Sequence, residues 1–369
     1  MFNNHLGAIV TKKLGPLVLP YCPIENEICK QEERVFMLDS GVSPVRSYFD
    51  KHMFIDFSPA PENPVLVIGS AGVDIVGRLR SELNLETSNP AQIRTSFGGV
   101  ARNVAENLAR LGQPVKLLTA VGKDEIGDHL LEHIAEAGVD ISAVRRLVDR
   151  PTGSYLAVVN SRGALQFALD DMRGASAITA EYLKDNATAF REASLLFFDA
   201  NLPKETLRTA VSLARRARIP ICADPTSVWL APRLRPYLSR LRLITPNSAE
   251  AGVLCCSTVD ARRPQQVLEA AKSLVGLGVE VVIITLAEFG VTYATSQTSG
   301  QIPAIRTEIL DPTGAGDALT AAVIFALLND IPLDDAVRLG VSAASLVLRY
   351  PGTVVPDLSL QKLYDRLVI

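Results

Sequence analysis

From Val65 onward, short apolar runs rich in β-branched residues alternate with segments of helical period, and that alternation leaves few folds open. Val65-Leu-Val-Ile68 is closed by Gly69; so short and uniformly apolar a run predicts a strand buried on both faces. Asn103 to Leu111 carries helical spacing and stops at Gly112, and 115–121 reads as the next strand. Runs at 195–198, 219–223, 241–245 and 279–285 repeat the pattern, each separated from the next by a helical stretch. Strands alternating with helices predict an α/β fold with a mostly parallel central sheet covered by helices on both faces.

Two sections break the rhythm, about 72–98 and 153–168, and read as strands with no helix between them. In the second, Ser154 to Asn160, a turn at Ser161-Arg-Gly163 and Ala164 to Ala168 form a hairpin signal. Their place is a small β-sheet projecting from the main one. Pattern alone leaves two roles open, a lid over a ligand cleft and an edge ornament. The proline-bearing Ser58 to Pro64 reads as a linker, dividing an N-terminal extension of unknown role, 1–63, from a domain at 64–369.

Bulk properties exclude several classes. With 369 residues, 48% of them hydrophobic, the chain can bury a large core. A net charge of -3 without a basic run argues against nucleic acid as a partner. The apolar run 318–328 is about half the roughly 20 residues a membrane helix needs, so a core helix is expected and no membrane association. The five cysteines form no CxxC pair or regular framework, and neither terminus carries a targeting pattern; both point to the cytoplasm. Cys22 and Cys29 could pair or help hold a metal, though no His or Cys nearby completes a set.

The most informative segment is Asp311-Pro-Thr-Gly314-Ala315-Gly316-Asp317, which follows an extended stretch and opens the apolar helix. Glycines at a helix start expose backbone N–H groups, and with the positive end of the helix dipole these make an anion site suited to a transferring phosphoryl group. Asp317 stands beside that site and could take a proton from an attacking hydroxyl. An Asp capping the helix behind a glycine turn is the other reading, and the residues alone leave both open. No Gly-x-x-x-x-Gly-Lys-Ser/Thr motif occurs, so a Walker-type site does not account for the glycines.

Several motifs in order resemble the ribokinase-like (PfkB-type) carbohydrate and nucleoside kinases, from about residue 65 to the C-terminus. Gly98-Gly99-Val-Ala-Arg-Asn103 is similar to the family's Gly-Gly signature, where the backbone and Asn103 would bind sugar hydroxyls. Asp74 falls where members hold a diol with one carboxylate, and Val121 to Gly127 also has the family's look. Asn247-Ser-Ala-Glu250 matches the Asn-x-x-Glu motif, which implies a role in arranging Mg2+ and phosphates, Glu250 acting through water. The resemblance further implies ATP as phosphoryl donor, a nucleotide strand at Thr285 to Gly290, and a monovalent-cation site such as one for K+ shaped by Asp311. One departure is plain: the family's Thr-Leu-Gly-x-x-Gly reads Thr285-Leu-Ala287-Glu-Phe-Gly290 here, which puts nucleotide tightness or preference in doubt.

Within the family, Thr87-Ser-Asn89-Pro90, Asp170-Asp171-Met172, Asp199-Ala-Asn201 and Val355 to Ser359 resemble the pseudouridine kinases. That implies phosphorylation of a ribonucleoside 5′-hydroxyl. Asn89 and Asp171 are then candidate base-edge contacts, with plain loop chemistry as their other reading; Asp74, Asn103 and Asn201 are candidate ribose contacts. Adenosine, ribose or a deoxyketo sugar acid are alternative acceptors, and a catalytically silent nucleoside sensor is the alternative of another class. Lid-mediated dimers are frequent in the family, so a homodimer is an expectation, with 35–38 as a second candidate contact.

Overall fold

A computed structural model of the chain describes residues 62–367 together with Phe57 and Ala60. The expectations for Cys22, Cys29, 35–38 and most of the 1–63 extension lie outside the described residues. Phe57, inside the expected extension, is 1% exposed and belongs to the main core.

The central sheet has nine strands in the order Ser299–Ile302, Val291–Ala294, Val281–Thr285, Leu243–Ile244, Ile221–Asp224, Leu195–Asp199, Val65–Ile68, Val115–Leu118 and Val139–Asp140. All neighbours pair parallel except the Val281–Ile302 edge, where two successive pairings are antiparallel. The expected mostly parallel sheet is therefore present, with one hairpin edge. Its strands bury both faces: Val65 and Val67 enter one apolar cluster and Leu66 and Ile68 the other, as do Leu195 and Phe197 against Leu196 and Phe198. That explains why these runs show no polar alternation.

Expected strand 115–121 stops at Leu118, where the Thr119 hydroxyl donates to the Gly69 carbonyl (2.6 Å) and the chain turns into a separate short strand, Ala120–Gly122. The apolar helix runs Ala315–Leu328, and every residue in 318–328 is buried, packed on the Val100–Arg110 and Leu333–Val347 helices. Each fully buried Leu, Ile or Phe contributes about 1.5–3 kcal/mol, so this helix is held rigidly and its first turn is a fixed platform. No helix among the described residues is long and apolar enough to cross a membrane.

The two rhythm-breaking sections meet in a separate four-stranded sheet, ordered Ala91–Gly98, Gly72–Leu79, Gly153–Val159 and Leu165–Asp171. Apart from a shift between Val158 and Val159, its rows run across all four strands: Asp74 lies opposite Ser96 on one side and Tyr155 on the other, and Tyr155 lies opposite Asp170. Ser96, Asp74, Tyr155 and Asp170 thus share one face, and Phe97, Val73, Ser154 and Asp171 the other.

Candidate active site

In the central sheet the chain fills strands on one side of Val65–Ile68 and then returns to place Leu195–Asp199 on its other side. Strand order reverses between these two, and in open α/β sheets the crevice beyond the carboxyl ends at such a point is where ligands bind. Gly69 to Ala71 and Asp199 to Asn201 emerge there.

Asp199 organises this crevice. Fully buried, its carboxylate accepts from Ser70 N–H (2.7 Å), Ser70 Oγ (2.7 Å), Ala101 N–H (3.2 Å) and Asn201 N–H (3.0 Å). Burial still outweighs these bonds and raises its pKa above the usual carboxylate range. One carboxylate thereby ties the first strand's end to the start of the Val100–Arg110 helix and to Asn201, whose Nδ2 donates to Ser70 Oγ (3.1 Å).

The start of the Ala315–Leu328 helix faces the same space. Gly314 is its N-cap residue, at φ 82°, and a Cβ there would sit 2.3 Å from the Thr353 carbonyl oxygen, so both conformation and space demand glycine. No side chain caps the helix. Ala315 N–H closes the turn on the Pro312 carbonyl (3.5 Å), and the next amides, of Gly316 and Asp317, point out of the helix end as unfilled donors. Asp317 lies in the first turn, and its carboxylate accepts from Asn103 Nδ2 at 2.6 Å; the capping alternative does not describe it. Burial pushes its pKa up to about 6, against the Asn103 bond and the Arg102 charge, with Asp199 adding to the rise. Asn103 Oδ1 is buried with no hydrogen-bond partner, an acceptor left over for a hydroxyl donor.

Asp74 enters from the small sheet and is 5% exposed. Burial pushes its pKa up to about 7; Arg102 opposes this, while Asp317, Asp311 and Asp170 reinforce it. Gly98 makes room for it, since a Cβ there would fall 2.0 Å from Asp74 Oδ1. Gly99 forms the N-cap of the Val100–Arg110 helix.

Arg102, which carried no role in the sequence reading, is 1% exposed and braces these parts. Its guanidinium donates to the Phe97 carbonyl, Gly98 carbonyl (3.3 Å), Thr353 Oγ1 (2.7 Å) and Glu106. Burial works to raise the Glu106 pKa, but the His133 bond and the Arg102 and Arg110 guanidinium groups prevail and hold it at about 2. Because Thr353 packs on Gly314, Arg102 links the Gly-Gly turn to the anion-site turn. The i,i+4 spacing of Arg102 and Glu106 was the available signal, and its meaning depended on the fold.

On the other side, Asn247 and Glu250 form a reciprocal capping box on Ser248–Leu254: Glu250 N–H donates to Asn247 Oδ1 (3.0 Å) and Asn247 N–H to Glu250 Oε2 (2.9 Å). Thr285 N–H donates to the Pro246 carbonyl (2.9 Å), which brings the Thr285 strand end to this turn. Burial, then the charges of Glu250 and Asp317, hold Asp224 well above its ordinary pKa, and burial also raises Glu250. A neighbourhood so short of positive charge suits a divalent cation arriving with phosphates. Among the described residues no three acidic, His or Cys groups converge to ligate a metal directly, so water-mediated contact is what the residues fit.

Other expectations fall differently. Asn89 does not join the cluster. It lies at the far tip of the 72–98 hairpin, roughly 17 Å of strand beyond Asp74, and both amide atoms serve its own loop, through Asn84 N–H (2.8 Å), Asn84 O (2.8 Å) and Thr87 O (3.0 Å). Asp171 is on the face opposite Asp74, in a two-pronged pair with Arg173 (2.7 Å each); its neighbour Asp170 is the residue on Asp74's face. A strand side chain's face alternates with each residue, so Asp170 shares the Asp74 face and Asp171, the expected contact, does not. Asp311 accepts from Thr313 N–H (2.9 Å), closing a local turn.

Ala287 adopts φ 49°, left-handed backbone, while Gly290 closes the turn by accepting from Leu286 N–H (2.8 Å). Glycine in the family's pattern therefore answers a backbone requirement here. Ala287→Gly is expected to stabilise the protein by about 1 kcal/mol in urea unfolding, the relief of left-handed strain less the added unfolded-state entropy. An unchanged or lowered midpoint would contradict that.

The pfkB family carbohydrate kinase description matches residues 63–359. The chain is 33% identical to a pseudouridine kinase of Escherichia coli (strain K12) over 297 residues, 80% of this chain and 94% of that protein. It is 27% identical to a guanosine-inosine kinase of Exiguobacterium acetylicum over 299 residues, 80% of this chain and 98% of that one. Its fold is that of Arabidopsis thaliana ribokinase, solved with ribose and ATP (TM-score 0.70, 22% identity, covering 83% of this chain and 99% of that one). With the Gly-Gly turn, the Asn247–Glu250 turn and the Gly-Ala-Gly-Asp helix start gathered at one crevice of a ribokinase-like fold, the chain belongs to the pfkB family of carbohydrate kinases, phosphotransferases with an alcohol group as acceptor.

Proposed function

We propose that the chain transfers the γ-phosphoryl group of ATP to the 5′-hydroxyl of a ribonucleoside, with pseudouridine the foremost candidate, giving pseudouridine 5′-phosphate. The carrying observation is the Asp317 carboxylate at the open helix start, held by Asn103 beside unfilled amide donors. Asp317 accepts the hydroxyl proton as that oxygen bonds to the γ-phosphorus, and ADP departs with the electron pair of the broken P–O bond. The Gly314, Ala315 and Gly316 turn steadies charge on the transferring oxygens. Asp74, Asn103 and Asn201 hold the ribose hydroxyls, with the Gly98 and Gly99 backbone beside them. Asn247, Glu250, Thr285 and Gly290 border the nucleotide side; Mg2+, met there through water, supplies phosphate charge neutralisation. Asp311 shapes a monovalent-cation site, K+ being the candidate.

Two relatives named as nucleoside kinases support the substrate class, and a cytoplasmic setting, where ATP is plentiful, fits it. The small sheet acts as the lid that limits water at the transferring group. Its other face carries Ile93, Gly77, Val158 and Phe167 in one row and Ile75, Leu156 and Leu169 in the next, with Ile93, Phe167 and Leu169 exposed. That apolar face suits a homodimer contact, read out by sedimentation, where a monomer at all concentrations would exclude it.

ADP release with pseudouridine, uridine, adenosine, ribose and a deoxyketo sugar acid tests the reading. Highest kcat/KM on pseudouridine supports it; highest kcat/KM on ribose or the sugar acid moves the acceptor class; ligand binding with no ADP from any of them establishes a sensor instead.

A further inference from the structure

The Ser96, Asp74, Tyr155 and Asp170 row crosses the small sheet toward a cleft of about 430 Å3. Among its lining residues are Asp170, Met172, Asn201, Ser227, Trp229 and Leu230. Neighbouring strands stand about 4.8 Å apart, so Asp170 is two strands, roughly 10 Å, from Asp74. A single sugar ring held at Asp74 ends short of Asp170, whereas a sugar bearing a second ring reaches it. Tyr155 lies between, and the Asp74 and Asp170 charges both act on its hydroxyl after burial.

Trp229 is the chain's single tryptophan and is 80% exposed at this cleft. Its turn is firmly built. Leu230 N–H and Ala231 N–H both donate to the Ser227 carbonyl (3.1 and 2.8 Å). Thr226 just before it holds φ 66°, costly for a β-branched residue, and is kept there by its N–H on Asp224 Oδ1 (2.7 Å) and its hydroxyl accepting from Ala200 N–H (3.1 Å). Arg233 fixes the facing segment through the carbonyls of Ala200, Asn201 and Leu202. Strain at the root of the turn and a large exposed aromatic at its tip are both accounted for by a flat ligand ring. Arg173 is spent on Asp171, and among the described residues no ion pair forms at Asp170. Burial, then the charges of Asp171 and Asp199, raise its pKa despite the Met172 amide.

We propose that this cleft is the second lobe of the acceptor site, receiving a planar nucleobase that stacks on Trp229 and donates a ring N–H to the Asp170 carboxylate. The proposal rests on the nucleoside reading and assigns its selectivity. Pseudouridine is joined to its ribose through ring carbon 5 and so presents N1–H where uridine presents C5–H, a difference by which Asp170 favours the former.

Trp229 reports the test directly, because it is the sole tryptophan emitter. Without ATP, pseudouridine is expected to quench Trp229 fluorescence saturably and ribose is not. Asp170→Asn is expected to weaken the pseudouridine titration about tenfold and to shrink its advantage over uridine, and Trp229→Ala to raise the pseudouridine KM about tenfold. A nucleoside that is phosphorylated yet leaves Trp229 emission unmoved at saturation overturns the proposal while the nucleoside reading stands. Turnover of free sugars with none of nucleosides overturns both.

Discussion

Asp317→Asn is expected to lower kcat by about 10²–10⁴ while ATP binding and the thermal midpoint stay near those of the parent. Asparagine keeps the shape and can still accept from Asn103 Nδ2 through its carbonyl oxygen, so the fold has little reason to change. What it loses is the ability to take a proton. The same reasoning sets a pH dependence: with Asp317 pushed up to about 6, the base is ionised above that value and protonated below it. The parent kcat/KM therefore falls first as Asp74 protonates near 7 and again as pH drops through about 6, and the variant lacks the lower limb. Turnover of the variant within tenfold of the parent would remove Asp317 from the proton transfer.

Arg102→Met is expected to cost about 3–5 kcal/mol of stability in urea unfolding, because it removes one member of a buried ion pair and takes a donor from two carbonyls, of which Phe97 O keeps the Thr353 hydroxyl. Phe97 O, Gly98 O, Thr353 Oγ1 and Glu106 all lose a donor; Glu106 keeps Arg110 and His133, which places the effect toward the lower end. Activity supplies a second readout. The Arg102 charge lowers the pKa of both Asp317 and Asp74, so its removal raises them, and the acid limb of kcat/KM moves to higher pH. Arg102→Lys keeps the charge without the fork of donors, so it should restore the limb more than the stability. A stability change under 1 kcal/mol with an unmoved limb would reduce Arg102 to a spectator.

The limits of reading the site from sequence are visible in particular residues. From the residues Asp317 reads equally as base or cap, and what sets the cap reading aside is a contact with Asn103, 214 positions earlier in the chain. Asp171 read as a candidate base contact, and only strand pairing, which is a relation between distant segments, decides which of two adjacent acids shares the Asp74 face. Asn89 read as a polar contact, whereas its amide closes the loop at a hairpin tip. Asp199 and Arg102 drew no role because their importance lies in joining segments: Asp199 receives Ser70, Ala101 and Asn201, and Arg102 reaches Thr353. Ala287 was noticed as a departure, but the positive φ that explains the family's glycine belongs to the folded backbone.

The amino-acid order by itself determined the α/β alternation, the doubly buried strands, the separate small sheet and the glycine-opened helix ending in Asp317. These are local matters of period, turn chemistry and propensity, set within a few neighbouring residues. Tertiary structure decided which acids share a face, which amides remain unfilled, and how far burial and neighbouring charge shift Asp74, Asp224 and Asp317 from their ordinary ionisation. Those properties depend on desolvation and on distances between groups far apart in the chain, and such distances exist only once the sheet has closed around its crevice.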